Sequence, residues 1–163
     1  MKTYLSLVFV LALSLGASPN ALSAQIWNVT DLKVEPGEEE TVSEALAKLQ
    51  KTAVAKNRRA AVQLQRYLFN GSNPATHSLV VLYPNRAENQ KANQNFASTD
   101  DFEKWSEKMM DVAEIVYNGS NRTLKGWGTV SNDDRIWLGI YLNVKDPLGF
   151  LAAMAATTKS GAA

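Results

Sequence analysis

Apolar and polar residues repeat with two different periods along this chain, and the changes of period mark its elements. Residues 26–34 (IWNVTDLKV) alternate loosely and run into Pro36-Gly37, which predicts a first strand closed by a turn. From Glu38 onward Val42, Ala45, Leu46, Leu49 and Ala53 recur at helical spacing, and Glu38, Glu39 and Glu40 supply the negative charge that a helix N-terminus favours. That pattern predicts a helix over about 38–56. Residues 61–69 (AVQLQRYLF) alternate again, with Val62, Leu64 and Leu68 on one face of a second strand. Asn70-Gly71-Ser72-Asn73-Pro74 is turn chemistry, and residues 76–83 (THSLVVLY) predict a third strand whose unbroken apolar run implies burial on both faces.

Residues 84–95 (PNRAENQKANQN) are polar and aperiodic, which predicts a mobile surface loop. Ser98 or Thr99 then caps a helix with Asp100 and Asp101 in its first turn. Phe102, Trp105, Met109, Val112 and Val116 follow at spacings of three and four and give it one apolar face. Asn118-Gly119 is its expected end, because glycine accepts the left-handed conformation there. A fourth strand is expected over 123–130, a turn over 131–134, a fifth strand over 135–144, and a last helix from Pro147 containing Leu148, Leu151 and Met154. The first six elements follow the split βαβ pattern (βαββαβ) of the α+β ferredoxin-like fold, with an additional C-terminal strand and helix. An antiparallel sheet covered by helices on one side leaves its other face for a partner, so a homodimer or a tandem repeat is expected.

A repeat overlies this order. Ile26-Trp27-(four residues)-Leu32-x-Val34 returns as Ile136-Trp137-(four residues)-Leu142-x-Val144, about 110 residues later, and each copy leads into a proline, a glycine and a helical stretch. Two organisations fit: two similar units with the second cut short, or one unit with an extra strand and helix. The expected boundaries are a signal peptide over 1–23, a ferredoxin-like domain over 24–134, and the extra strand and helix over 135–163.

The leader reading rests on Met1-Lys2, the apolar run Leu5–Leu15, the break at Pro19-Asn20, and a small-x-small site at Ala21-Leu22-Ser23 before Ala24. The run is too short to span a bilayer, which takes about 20 residues. Export to a periplasm or the exterior is therefore expected, with no membrane span after signal removal. Of 17 basic residues only Lys2 lies in the leader, leaving 16 against 16 acids, so the mature chain is formally neutral. A domain that neutralises phosphates carries a basic excess, so nucleic acid is not an expected partner. The cluster Lys51, Lys56, Arg58 and Arg59 reads as cations near a helix C-terminus. With no cysteine, stability must come from packing rather than disulfides.

The missing chemistry narrows the function classes. One histidine and no cysteine exclude zinc sites built on His and Cys pairs and a cysteine nucleophile. There is no Gly-x-Ser-x-Gly elbow and no Walker loop, and Gly126-Trp127-Gly128 lacks the third glycine of a dinucleotide fingerprint. His77 shares a predicted strand face with Leu79, Val81 and Tyr83 and reads there as a polar strand-end residue with one hydrogen bond. Trp105 and Met109 read as core or as pocket lining. Trp127, Trp137 and Tyr141 read as an interface face or as a stacking surface, and Arg66 as an exposed cation or an anchor for an acidic substrate.

The element order, the strand-Pro-Gly-helix opening at Pro36-Gly37 and the helix carrying Trp105 resemble the dimeric α/β-barrel superfamily over roughly residues 26–130. That group includes antibiotic-biosynthesis-type monooxygenases and NIPSNAP-like proteins, and its members place a small-molecule or haem pocket between sheet and helices. Two expectations follow from the resemblance and the residues together. The first is an exported ligand-binding or protein-interaction module without catalytic machinery, dimeric or packed in tandem through its sheet, with no cofactor. The second is a cofactor-free or haem-dependent oxygenase in which His77, Tyr83, Trp105 and Trp127 surround a small apolar ligand, with 84–95 as lid. Whether His77 and the aromatics converge on one cavity separates the two.

Overall fold

The computed structural model describes residues 7–10, 25–124 and 138–160. The chain divides into a larger unit of residues 18–126 and a smaller one of residues 1–17 and 127–163. The smaller unit contains β1 (Leu7–Val10), antiparallel to a strand near the C-terminus that is described below. The larger unit runs β2 (Ile26–Val34), α1 (Glu39–Lys51), α2 (Ala53–Asn57), β3 (Ala61–Arg66), β4 (His77–Tyr83), α3 (Arg86–Asn95), α4 (Asp100–Val112) and β5 (Ala113–Arg122). Its sheet is antiparallel throughout, in the order β3-β4-β2-β5. β2 and β3 thus run parallel with β4 inserted between them, which is the split βαβ of the ferredoxin-like fold.

Register decides what each sheet face carries. Leu32 lies opposite His77 and Thr30 opposite Leu79, while Leu64 faces Leu79 and Val62 faces Val81 from the other side. With side chains alternating at period two, His77, Leu79, Val81 and Tyr83 share a face with Leu32, Val34, Val62 and Leu64. α1 and α4 cover that face, where Val42, Ala45 and Met109 pack on Leu32, Val34, Leu79 and Ala113. A second cluster joins Leu49, Ala55 and Phe96, with Val54 and Phe102 against it, and Trp105 packs on both clusters. On the opposite face Val29, Asp31, Ser78 and Val80 are also buried, so β4 is enclosed on both sides as its apolar run predicts. The turn into α1 is a type II turn: Glu38 N–H donates to the Glu35 carbonyl at 3.0 Å and Gly37 takes φ of 91°, a conformation that needs glycine.

Several boundaries differ from the expected ones, each for a local reason. The helix over 38–56 is two helices, broken at Thr52, whose backbone is extended. Its hydroxyl donates to the Leu49 carbonyl and accepts from the Ala55 N–H, ending one helix while capping the next. Residues 86–95 are not a loop but α3, started by Asn85, whose side chain accepts from the Glu88 N–H at 3.0 Å. The helix begun at Thr99 stops at Val112, not at Asn118-Gly119. The Val112 carbonyl accepts the Glu35 N–H at 3.0 Å, and the β-branched and aromatic run after it passes straight into β5. Gly119 lacks positive φ and sits under the Tyr117 phenol, as a strand glycine rather than a helix stop. The second strand ends at Arg66, leaving Leu68 82% and Phe69 90% exposed in the loop beyond it.

In the smaller unit β1 pairs with β6 (Gly139–Leu142), Leu7 opposite Leu142 and Val10 opposite Gly139. α5 (Pro147–Ser160) follows, with the Asp146 side chain accepting the Gly149 N–H at 3.0 Å and Pro147 in the first turn, where its missing N–H has no consequence. This is the additional strand and helix of the fold. The expected strand over 123–130, apart from its first two residues, and Trp127, Ile136 and Trp137 lie outside the described residues.

Candidate functional site

His77 opens β4 between Leu32 on β2 and Arg66 on β3 and is 7% exposed. Its Nδ1 lies 2.9 Å from the Thr76 hydroxyl, which also accepts the Val34 N–H and so ties the start of β4 to β2. Burial pushes the imidazole below its ordinary value; Glu39 opposes that shift and Arg66 adds to it. The folded protein therefore keeps His77 neutral where the unfolded chain takes up a proton. Stability from this residue is complete above about pH 6.5 and is lost as pH falls toward the depressed folded value. Urea midpoints at about pH 7.5 and about pH 5 should fall further for the wild-type protein than for His77→Gln; equal losses would assign the acid sensitivity elsewhere.

Tyr83 ends the same strand on the same face, six residues and about 20 Å away, with Leu79 and Val81 between them. It is 3% exposed. Arg58, at the C-cap of α2, acts electrostatically on the Tyr83 phenol, and its guanidinium lies 4.2 Å from the centre of the Phe96 ring. Phe96 meets Phe102 edge-on at 5.3 Å, and Phe102 meets Trp105 at 5.4 Å. Burial raises the Tyr83 phenol against the opposing pull of Arg58, and burial lowers Arg58 against that of Tyr83. Among the described residues Arg58 makes no ion pair. Its Nε is buried without a hydrogen-bond partner, as are Asn89 Nδ2, Trp105 Nε1 and Gln50 Nε2.

Of the four expected site residues, Tyr83 and Trp105 thus join one line of contacts through Arg58, Phe96 and Phe102. His77 stands at the opposite end of the sheet, and Trp127 lies outside the described residues. A haem on His77 does not fit: the ring is buried among sheet residues, and the face beside it is filled by Leu79, Val62, Leu64 and the helices. No group of three or more His, Asp or Glu side chains among the described residues is placed to hold a metal ion. Arg58, Asn89 and Phe96 escape the sequence reading. Arg58 looks like any helix-end cation, and Asn89 sits in the segment without apolar periodicity. The spacing Asn85-x-x-Glu88, with the residue types of a capping box, is the signal that marks α3.

Two further polar arrangements lie elsewhere on the sheet. Asp31, 3% exposed on the face away from His77, accepts a hydrogen bond from the Tyr67 hydroxyl at 2.9 Å and lies opposite Ser78. Across β2 and β5 the Ser120 hydroxyl donates to Asn28 at 2.8 Å and the Thr30 hydroxyl to Asn118 at 3.4 Å, forming an exposed ladder.

No protein-family model and no curated protein matches the sequence. Among solved structures the chain is similar to a candidate antibiotic biosynthesis monooxygenase from Bordetella bronchiseptica, at 20% identity and a TM-score of 0.46, over 61% of this chain and 96% of that one. It is similar to a dimeric protein of unknown function and ferredoxin-like fold from Bacteroides fragilis, at 10% identity and a TM-score of 0.43, over 60% and 95% of the two chains. It is also similar to SnoaB, a cofactor-independent oxygenase from Streptomyces nogalater, at 10% identity and a TM-score of 0.41, over 68% and 99%.

Proposed function

We propose that the protein is exported with residues 1–23 removed, and that its ferredoxin-like unit is a binding module with no catalytic centre of its own. It takes a small ligand or a protein partner and associates with a second copy. The observation that supports this reading is the separation of His77 from the aromatic line. An oxygenase built on His77, Tyr83 and Trp105 needs them around one reacting atom, and about 20 Å of filled sheet lies between the first two. The exposed Leu68 and Phe69 at the β3–β4 loop suit contact with a partner.

Light scattering coupled to size exclusion, with the visible spectrum recorded with and without added haemin, tests this on the chain from Ala24. The expected result is a dimer whose Soret region shows only free haemin. A stoichiometric Soret band that His77→Ala abolishes would overturn the reading in favour of a haem enzyme. A monomer would remove self-association from it.

A further inference from the structure

We propose that Arg58, Tyr83 and Asn89, walled by Phe96, form a binding site for a small organic anion, a flat carboxylate in particular. This inference rests on the ligand-binding reading above and names the chemistry of the ligand. Three elements meet at the site. Arg58 leaves the end of α2, Tyr83 is the last residue of β4, and the inner side of α3 carries Asn89 and Ala92, with Phe96 at its C-cap. Arg58 links α2 to α3, its guanidinium 4.2 Å from the centre of the Phe96 ring, and its charge acts on the Tyr83 phenol.

The first observation is an uncompensated cation. A half-buried guanidinium loses part of its hydration, and proteins often restore that loss with a carboxylate. Among the described residues no carboxylate pairs with Arg58, and its Nε has no acceptor. The phenol and the aromatic face stabilise the cation in part but carry no negative charge.

The second observation is independent of the first. Asn89 is 9% exposed, on the inner side of a helix whose other described positions are mostly at the surface, and its Nδ2 has no partner. Its Oδ1 is met by Asn93 Nδ2 at 3.5 Å, so the unmet capacity is that of a donor. An apolar residue would serve better against the sheet here, since an unpaired buried amide is destabilising. Arg58 Nε and Asn89 Nδ2 are both donors. A second cation or a purely apolar molecule would leave both of them unmet. An anion accepts from them, a carboxylate matches the planar fork of the guanidinium, and a flat body can lie along Phe96.

The experiment titrates purified protein with benzoate, with its neutral counterpart benzamide, and with inorganic phosphate. Calorimetry gives affinity and amide NMR shifts give location. Benzoate is expected to shift Arg58, Asn89 and Phe96 and to bind at least about tenfold more tightly than benzamide. Arg58→Gln should abolish that preference. Because that variant can lose its fold, Asn89→Leu is the second probe: it fills the inner side of α3 with an apolar group, should keep the thermal transition, and should weaken benzoate by about fivefold or more. Equal binding of benzoate and benzamide at these residues would sink the anion while leaving the ligand-binding reading in place. Phosphate matching benzoate would show an inorganic anion hole and overturn the organic ligand. No shift at Arg58, Asn89 or Phe96 with any of the three probes, on folded protein, would overturn the site itself, and the binding reading would then stand or fall on its scattering and haemin test.

Discussion

Leu79→Ala should lower the free energy of unfolding by about 3 kcal/mol, within the range measured for buried leucine truncations. Leu79 occupies the middle of β4, opposite Thr30 on β2 and Leu64 on β3, and packs among Leu32, Val34, Val42, Ala45 and Met109 under the two covering helices. Strands on both sides fix the backbone there, so the space left by the missing methyl groups cannot close, and a cavity adds to the lost transfer energy. The melting temperature should fall by roughly 10 °C for a domain of this size. Phe69→Ala is the matched control. It removes a larger apolar side chain from a position that is 90% exposed, and should change stability by no more than about 0.5 kcal/mol. Urea unfolding of both variants decides the matter: a Leu79→Ala loss below about 1 kcal/mol would mean that this face of β4 is not the enclosed core described here.

How much of this fold was legible depends on whether local and tertiary signals agree. β2, the start of α1, β4 and α4 were readable because their apolar period, their caps and their final packing all point one way. Thr52 was not, because Leu49 and Ala53 carry the helical period through it, and its role emerges only from the hydroxyl that ends one helix and caps the next. Val116 continues the period of α4 past its true end at Val112. What stops the helix is a tertiary bond from Glu35, some 77 residues earlier, which no local pattern encodes. α3 was missed because its buried side carries Asn89 and Ala92 where a period search looks for Leu or Val.

The candidate site divides in the same way. Period two put His77 and Tyr83 on one face, and their separation of six positions already implied that they stand far apart. Which end of the sheet the helix aromatics would reach was hidden, since it depends on where α1 and α4 lie across the strands. Arg58 is the clearest case. In sequence it belongs with Lys51, Lys56 and Arg59, and only contacts with Tyr83 and Phe96, 25 and 38 positions later, set it apart.

Tyr67→Phe should cost about 2 kcal/mol, a large loss for the removal of one oxygen atom. That oxygen donates a 2.9 Å hydrogen bond to Asp31, whose side chain is enclosed on the sheet face away from α1 and α4. Phenylalanine keeps the ring and its packing but leaves the enclosed carboxylate without this donor, and hydrogen bonds to charged groups are worth more than neutral ones. The bond also anchors a loop. Tyr67 N–H donates to the Thr76 carbonyl at 2.9 Å, Asn70 Nδ2 to the Ala75 carbonyl at 2.9 Å, and Ala75 N–H to the Asn73 side chain at 3.0 Å. Leu68 and Phe69 are therefore held outward by a bonded frame rather than left loose. A double-mutant cycle with Asp31→Asn separates the bond from the general cost of altering either residue. The coupling should exceed about 1 kcal/mol, and amide exchange should quicken across residues 67–76 in the Tyr67→Phe variant. A coupling near zero, with exchange unchanged, would show that the hydroxyl neither satisfies Asp31 nor holds the loop. The outward pose of Leu68 and Phe69 would then lose its structural cause, and with it their part in contacting a partner.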